Sequence, residues 1–482
     1  MGSLLVIGPL AVPVAAACAY AVLGWNRATA WLGALSAAGV LACAVALAAT
    51  GGGDALGGQL TGDALSAYML LVIGAVALLA MLAGPAYLAA ELAAGRTGPR
   101  AMRRYGVLTQ SFIAAMALAV LASSLGLLWV AIEATTIVTA FLVGHRRTRE
   151  ATEAAWKYVV ICSVGIALAL LGIVMLHYAG THAGVTSLGW AELTAHADRL
   201  DPGVTRIAVV LLVLGFGTKA GLAPMHAWLP DAHSQAPAPV SALMSGVLLS
   251  VAFYAVLRTK VIADAALGAG FARTLLVIVA LASLAVAALL LLGQRDYKRL
   301  LAYSSIEHMG LLALGAAVGG ALALAAVLLH ILGHGLGKSV LFLSAGRLHQ
   351  AVGSSRMDAV RGLTARAPLL GGTFGLGLLA LLGLPPFSLF ASELGIARAG
   401  FAAGLGWAIA PALLLMLVIV AAVCRHAGRM LLGDSPDGAV ATPYSVAVPL
   451  VAGLAACAAL GIATGPLHSL LRAAATIAGA AP

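Results

Sequence analysis

The residues able to do chemistry in this chain stand inside stretches that are otherwise apolar: Glu133, Lys219, His330, His334, Lys338 and Glu393. An ionisable group in hydrocarbon costs about 2.5–3.5 kcal/mol even on insertion scales, so each demands a compensating role. Lys219 lies in GFGTKAGLAP, after an apolar run from Ile207 to Phe216 and just ahead of Gly221 and Pro224. Proline removes an amide donor and clashes with the carbonyl a turn earlier, so a helix breaks here. Lipid cannot satisfy the freed carbonyls, and the break must therefore face protein or water. Lys219 sits one turn ahead of a half-helix C-terminus, whose partial negative charge favours a cation. Snorkelling to the interface is the plain alternative. Apolar residues on one side and the break on the other argue against it, and the reading adopted is a buried, titratable lysine.

His330, His334 and Lys338 follow at intervals of four, which puts them on one helix face about 6 Å apart along the axis. Two histidines at this spacing suit zinc, but the third position is lysine and no carboxylate is close in sequence. A proton relay fits better, because histidine titrates near neutral pH, and no metal is expected. Glu133, in LLWVAIEATTIVTAFLV, either bonds a neighbouring helix or partners Lys219. A carboxylate within ~4–6 Å favours the charged ammonium. Glu393 lies in FSLFASELGIA, with Ser388 and Ser392 as its polar neighbours. Glu307 and His308, in AYSSIEHMG, either extend the relay or face the headgroups. His226, Asp231 and His233 line a proton-access funnel or serve an interfacial structural role, and both readings stay open. Lys157 and Tyr158, close to a span end, read as snorkelling residues. Two decoys fall away. Gly333 to Ser339 is one residue short of a phosphate loop and lies in an apolar helix, and GFGTKAG follows no strand. Their glycines let helices approach closely.

The elements that position these groups follow from composition. With 482 residues, 62% hydrophobic and 9% charged, the polar fraction cannot cover a water-facing surface. The fold class is an all-α polytopic membrane protein. Apolar runs near the length a bilayer demands define about fourteen spans: 2–24, 31–50, 63–93, 105–122, 125–144, 155–178, 206–234, 238–258, 273–293, 299–319, 321–346, 368–399, 407–424 and 444–471. The first has no basic region ahead of it and reads as a retained span, not a cleaved signal. The cysteines (Cys18, Cys43, Cys162, Cys424, Cys457) form no CxxC and read as small packing residues, so neither disulfides nor iron–sulfur ligation is indicated. A net charge of +10 requires no nucleic-acid partner here, only the membrane surface.

Basic residues alternate between the two faces. Arg27, Arg96 to Arg104, Arg146 to Arg149, Arg295 to Arg299, Arg347 to Arg366, Arg425 and Arg429 fall on one face. Arg199, Arg206, Arg258, Lys260, Arg273, Arg398 and Arg472 fall on the other. The richer face is cytoplasmic, which turns both termini outward. An internal echo crosses this pattern. Gly221-Leu-Ala-Pro224, ahead of Asp231, is matched by Gly383-Leu-Pro385-Pro386, ahead of Glu393. Spans 7 and 12 run in opposite directions, so two broken helices mark an inverted repeat of five-helix units, spans 4–8 and 9–13. The expected division is 1–104, a three-helix segment; 105–258 and 259–430, the two repeats; and 431–482, a C-terminal helix.

Lys219 to Gly246, with HAWLPDAH and APAPVSALMSG, resembles the signature of the antiporter-like subunits of respiratory complex I, Mrp sodium/proton antiporters and energy-converting, formate-hydrogenlyase-type hydrogenases. KRLLAYSSIEHMG at 298–310 and LLHILGHGLGKSVLFL at 328–343 match two further segments of that family. The wording of TKAGLAPMHAWLPDAH is most similar to the hydrogenase-type branch. The resemblance implies proton transfer through Glu133, Lys219, His330, His334, Lys338 and Glu393, the last standing where other members have lysine. Many relatives carry histidine at the position of Ser245, so the link through span 8 would use water and hydroxyls. Nothing after span 14 resembles the long lateral helix of the largest complex I member. The resemblance further implies a non-catalytic pumping subunit of an oxidoreductase, with no cofactor of its own. Its partners would be membrane and peripheral subunits in a prokaryotic inner membrane. Sodium/proton antiport, solute transport on broken helices and quinone reduction are the rival readings.

Overall fold

The structure is a computed structural model that describes residues 2–433 and 442–480. Several helices begin at a capping acid or hydroxyl. Asp63 accepts from the Ser66 amide, Asp201 from Val204 with Pro202 following it, and Asp296 from Arg299, each satisfying a donor that the helix leaves orphaned. The helices are α1 (Gly2–Leu23), α2 (Leu32–Thr50), α3 (Ala64–Ala93), α4 (Pro99–Leu121), α5 (Leu125–Val143) and α6 (Arg149–His182). There follow α7 (Trp190–Ala195), α8 (Pro202–Ala220), α9 (Leu229–Gln235), α10 (Ala238–Leu243) and α11 (Leu249–Leu267). The second half holds α12 (Ala269–Leu292), α13 (Tyr297–Val318), α14 (Gly320–Val352), α15 (Leu363–Arg366), α16 (Pro368–Leu381) and α17 (Ser388–Ala402). It closes with α18 (Gly406–Leu431), α19 (Tyr444–Ile462) and α20 (His468–Ile477). A short hairpin, Gly53–Ala55 with Leu60–Gly62, joins α2 to α3.

Among the described residues, 13 helices are long and apolar enough to cross a membrane, and α16 with α17 makes a further, interrupted crossing. Both expected breaks are present, after Ala220 and after Leu381, and each carries a cis X-Pro bond. The last expected span, 444–471, is instead two helices, α19 and α20, separated by a turn at Thr464 and Gly465. Residues 434–441 of the expected C-terminal segment lie outside the described residues. One feature had no counterpart in the sequence reading: Met244–Leu248, between α10 and α11, is a π-helical turn. Such turns re-aim side chains inside a helix.

Loop contacts tie neighbouring crossings together at both ends of the bundle. At one end Glu91 bonds Arg96, Arg146 and Gln350. At the other, Arg258 pairs with Asp63 at 2.5 Å, and Ser123 donates to the Gln59 carbonyl. Arg258 and Lys260, read as loop cations, are buried on α11 and held by Asp63 and Asp264. Small residues let helices touch: a Cβ on Gly215 of α8 would lie 2.5 Å from the Ala169 amide nitrogen of α6.

Candidate functional site

Lys219 is fully buried in the last turn of α8. Its Nζ donates to Thr136 Oγ1 of α5 at 2.8 Å and to the Tyr158 hydroxyl of α6, and it stands 4.5 Å from the Tyr158 ring centroid. Tyr158 in turn meets the Thr139 hydroxyl. The amine is therefore held by neutral oxygens. Glu133 lies one turn of α5 from Thr136, yet no ion pair joins it to Lys219, and its Oε2 is buried without a hydrogen-bond partner. It faces a cavity of about 390 Å³ between α5 and α6, which Arg104, Phe141 and Trp156 also line. The expected Glu133–Lys219 partnership is thus not a direct contact here, because Thr136 and Tyr158 occupy the ammonium. Snorkelling describes Lys157, which faces outward to Glu153 and Asp231, but not its neighbour Tyr158, which is wholly buried. That single residue is the chief functional candidate the sequence reading missed.

The first break is sealed by side chains. Gly221, at φ +77°, turns the chain where a Cβ would lie 2.4 Å from Leu229 Cδ1. Trp228 Nε1 takes the freed Thr218 carbonyl at 2.9 Å, and Ser283 of α12 takes the Ala223 amide at 2.9 Å. Pro224 and the half-buried His226 lie in the break itself. His233 is fully buried between Trp228 and Phe342, and neither ring nitrogen has a partner. Asp231 sits nearer the surface and pairs with both Lys157 and Arg299.

Between the halves, the π-helical turn presents Ser245 Oγ to Ser305 Oγ of α13 at 2.8 Å. Next to it, a Cβ on Gly246 would come within 3.0 Å of the Gly335 carbonyl of α14, so the two backbones touch there. Lys338 of α14 is fully buried and donates to Ser304 Oγ at 2.5 Å and to the Leu301 carbonyl at 2.6 Å. Glu307 is buried three residues beyond Ser304, on the same face of α13. Burial removes the headgroup reading for Glu307 and His308 alike.

Farther along α14, His330 Nε2 lies 3.0 Å from His308 Nδ1, and His330 Nδ1 lies 2.9 Å from Ser392 Oγ of α17. The His334 ring centroid is 5.0 Å from that of His308, and both His334 nitrogens are buried without partners. Glu393 joins this group: one ligand atom each from His308, His330 and Glu393 lie within 4.8 Å of one another. Its carboxylate reaches back over the second break, where a Cβ on Gly383 (φ +63°) would fall 2.1 Å from Oε2. Pro385 and Pro386 complete that break. No ion pair links any of Glu133, Glu307 or Glu393 to a lysine among the described residues. Ionisable and hydroxyl side chains thus form separate bonded groups: on α5, α6 and α8, on the π-helical turn and α13, and on α13, α14 and α17.

Bundled spanning helices, two of them broken, around a buried row of amines, imidazoles and carboxyls define a polytopic ion-handling membrane protein. Residues 122–433 match the family described as NADH:quinone oxidoreductase/Mrp antiporter, transmembrane, and the chain belongs to that family. It is 40% identical over 343 residues to a hydrogenase-4 component F homolog of Methylacidiphilum infernorum, covering 70% of this chain and 72% of that one. It is 38% identical over 259 residues to an NADH-quinone oxidoreductase subunit N of Desulforudis audaxviator, covering 52% of this chain and only 50% of that relative. In fold it is similar to a chain of an archaeal membrane-bound sulfane sulfur reductase, with a TM-score of 0.87 at 24% identity over 99% of this chain and 98% of that one.

Proposed function

We propose that this chain is a membrane subunit of a redox-driven, multi-subunit complex and moves protons through its buried polar row. The path would run from Glu133 to Lys219, across the Ser245–Ser305 hydroxyls to Lys338, and on through His334, His308 and His330 to Glu393. His226, Asp231 and His233 would form the access from the face richer in arginine, taken as cytoplasmic. Residues 105–258 and 259–430 would act as two inverted repeats, each contributing one broken helix, with 1–104 and 431–482 packed around them. Both termini would face outward from a prokaryotic inner membrane.

The observation that carries this reading is a pair of fully buried lysines, Lys219 and Lys338, whose hydrogen-bond partners are hydroxyls and a backbone carbonyl and which form no ion pair among the described residues. A buried amine held by hydroxyls and a carbonyl can exist neutral or charged, and a nearby acid can tip the balance. Two unit charges 4 Å apart attract by about 4 kcal/mol at an effective dielectric of 20. Moving one charge against 100 mV costs about 2.3 kcal/mol. Making or losing one Glu133–Lys219 pair is therefore enough for one step. The driving energy would come from partner subunits, and the names of the hydrogenase and quinone oxidoreductase relatives support such a setting.

The test is ion flux in proteoliposomes holding the chain with the subunits that co-purify with it. Donor-driven acidification that an uncoupler abolishes and a sodium ionophore leaves intact is the expected result. Flux that requires sodium would instead assign the chain to antiport.

A further inference from the structure

Three helices bring donor atoms together beside the second break, and the arrangement there is one that a soft-to-borderline metal ion would find nearly assembled. His308 Nδ1 and His330 Nε2 are 3.0 Å apart. Two imidazole nitrogens bound at about 2.0–2.1 Å to one tetrahedral ion stand roughly 3.3 Å apart, so a shift of a few tenths of an ångström admits it. The outer hydrogen bond is also in place. Ser392 Oγ gives its proton to the Leu389 carbonyl at 2.8 Å and so accepts from His330 Nδ1 at 2.9 Å. His330 therefore presents a lone pair at Nε2, the tautomer that metal-ligating histidines adopt when their other nitrogen donates to an oxygen. His308 now carries its proton on Nδ1. Transfer of that proton to Nε2, which has no partner, frees Nδ1 as a second lone pair.

Glu393 supplies the oxygen, and its half-buried side chain is the outermost of the three donors. The α14 spacing lacked a carboxylate in sequence; the fold delivers one from α17. His334 lies one helical turn from His330, with its ring centroid 5.0 Å from His308 and both nitrogens buried and unpartnered. Two or three imidazoles and one carboxylate are the donor set of zinc, whereas magnesium and calcium require oxygen throughout.

We propose that His308, His330 and Glu393 form a binding site for a zinc-class transition-metal ion. The site shares residues with the proposed proton row, so an ion held there would also interrupt that row. Its existence does not depend on the row being active.

The experiment loads the purified full chain, with its co-purifying subunits, with zinc chloride and desalts it. It then measures zinc per chain by elemental mass spectrometry and the zinc coordination shell by X-ray absorption. The prediction is one zinc fewer per chain in Glu393→Gln and in His330→Gln than in the parent. The parent should show imidazole scattering and a first shell at about 2.0–2.1 Å. Equal zinc in all three proteins, or a shell without imidazole, overturns the proposal. Competition on the unaltered protein provides an arm free of folding effects. Zinc that survives about a hundredfold excess of magnesium supports the site, and displacement by magnesium overturns it. Flux is read separately in the same preparation: zinc bound at these residues with undiminished flux would refute the proton row and leave the metal site standing.

Discussion

The two broken helices place opposite charges on opposite sides of their breaks. In the first half, Lys219 precedes the break, at the C-terminal end of α8, where the helix dipole favours a cation. In the second, Glu393 follows the break on α17 and folds back toward it, because side chains on a helix lean toward its N-terminus. The surroundings differ as well. Two hydroxyls hold Lys219, whereas a backbone carbonyl and one hydroxyl hold Lys338. Three histidines gather between Lys338 and Glu393, and none is bonded to Lys219. The first half therefore depends on side chains that mutation can remove, and the second partly on backbone that it cannot.

That contrast can be broken by substitution. The largest effect is expected from Tyr158→Phe combined with Thr136→Val, which strips Lys219 of both partners. Each lost hydrogen bond to a buried charged group costs about 1.5–3 kcal/mol, so flux should fall more than tenfold while the assembled complex still purifies. Next comes Gly383→Ala. Glycine is required there both by φ +63° and by the carboxylate 2.1 Å from the would-be Cβ. Adopting that backbone with a side chain costs about 1–2 kcal/mol. Gly221→Ala should lower thermal stability by a similar amount, but only Gly383→Ala should also reduce flux as far as Glu393→Gln does. Smallest is Ser304→Ala, which leaves Lys338 its carbonyl partner; one such bond is lost, at about 1.5–3 kcal/mol, where the double change at Lys219 loses two, so flux should fall clearly less. If Ser304→Ala proves as damaging as the double change at Lys219, the asymmetry between the halves is wrong.

Much of this was legible in the chain. Lys219, the two breaks and the His330–His334–Lys338 face were visible because proline and a fixed spacing act locally. What escaped depends on which face of a helix turns inward. Tyr158 belongs to the stripe Ala151, Ala154, Tyr158, Cys162 and Gly165, at three- and four-residue spacing, in which small residues flank it and all pack inward on α6. Reading that stripe would have buried Tyr158 and turned Lys157 outward. The π-helical turn that aims Ser245 at Ser305 left no such signal, because a one-residue change of register inside an apolar run alters no pattern. The meeting of Glu393 with His308 and His330 brings α17 against the consecutive helices α13 and α14, more than sixty residues earlier in the chain at His330, and emerges only from their packing.

The central claim is that the buried amine of Lys219 is a stepping point for protons, and the most direct measurement is donor-driven proton flux by the Lys219→Ala complex in sealed proteoliposomes. Loss of acidification, with subunit composition intact and electron transfer no longer coupled to pumping, is the predicted result. Acidification at the parental rate would contradict the account.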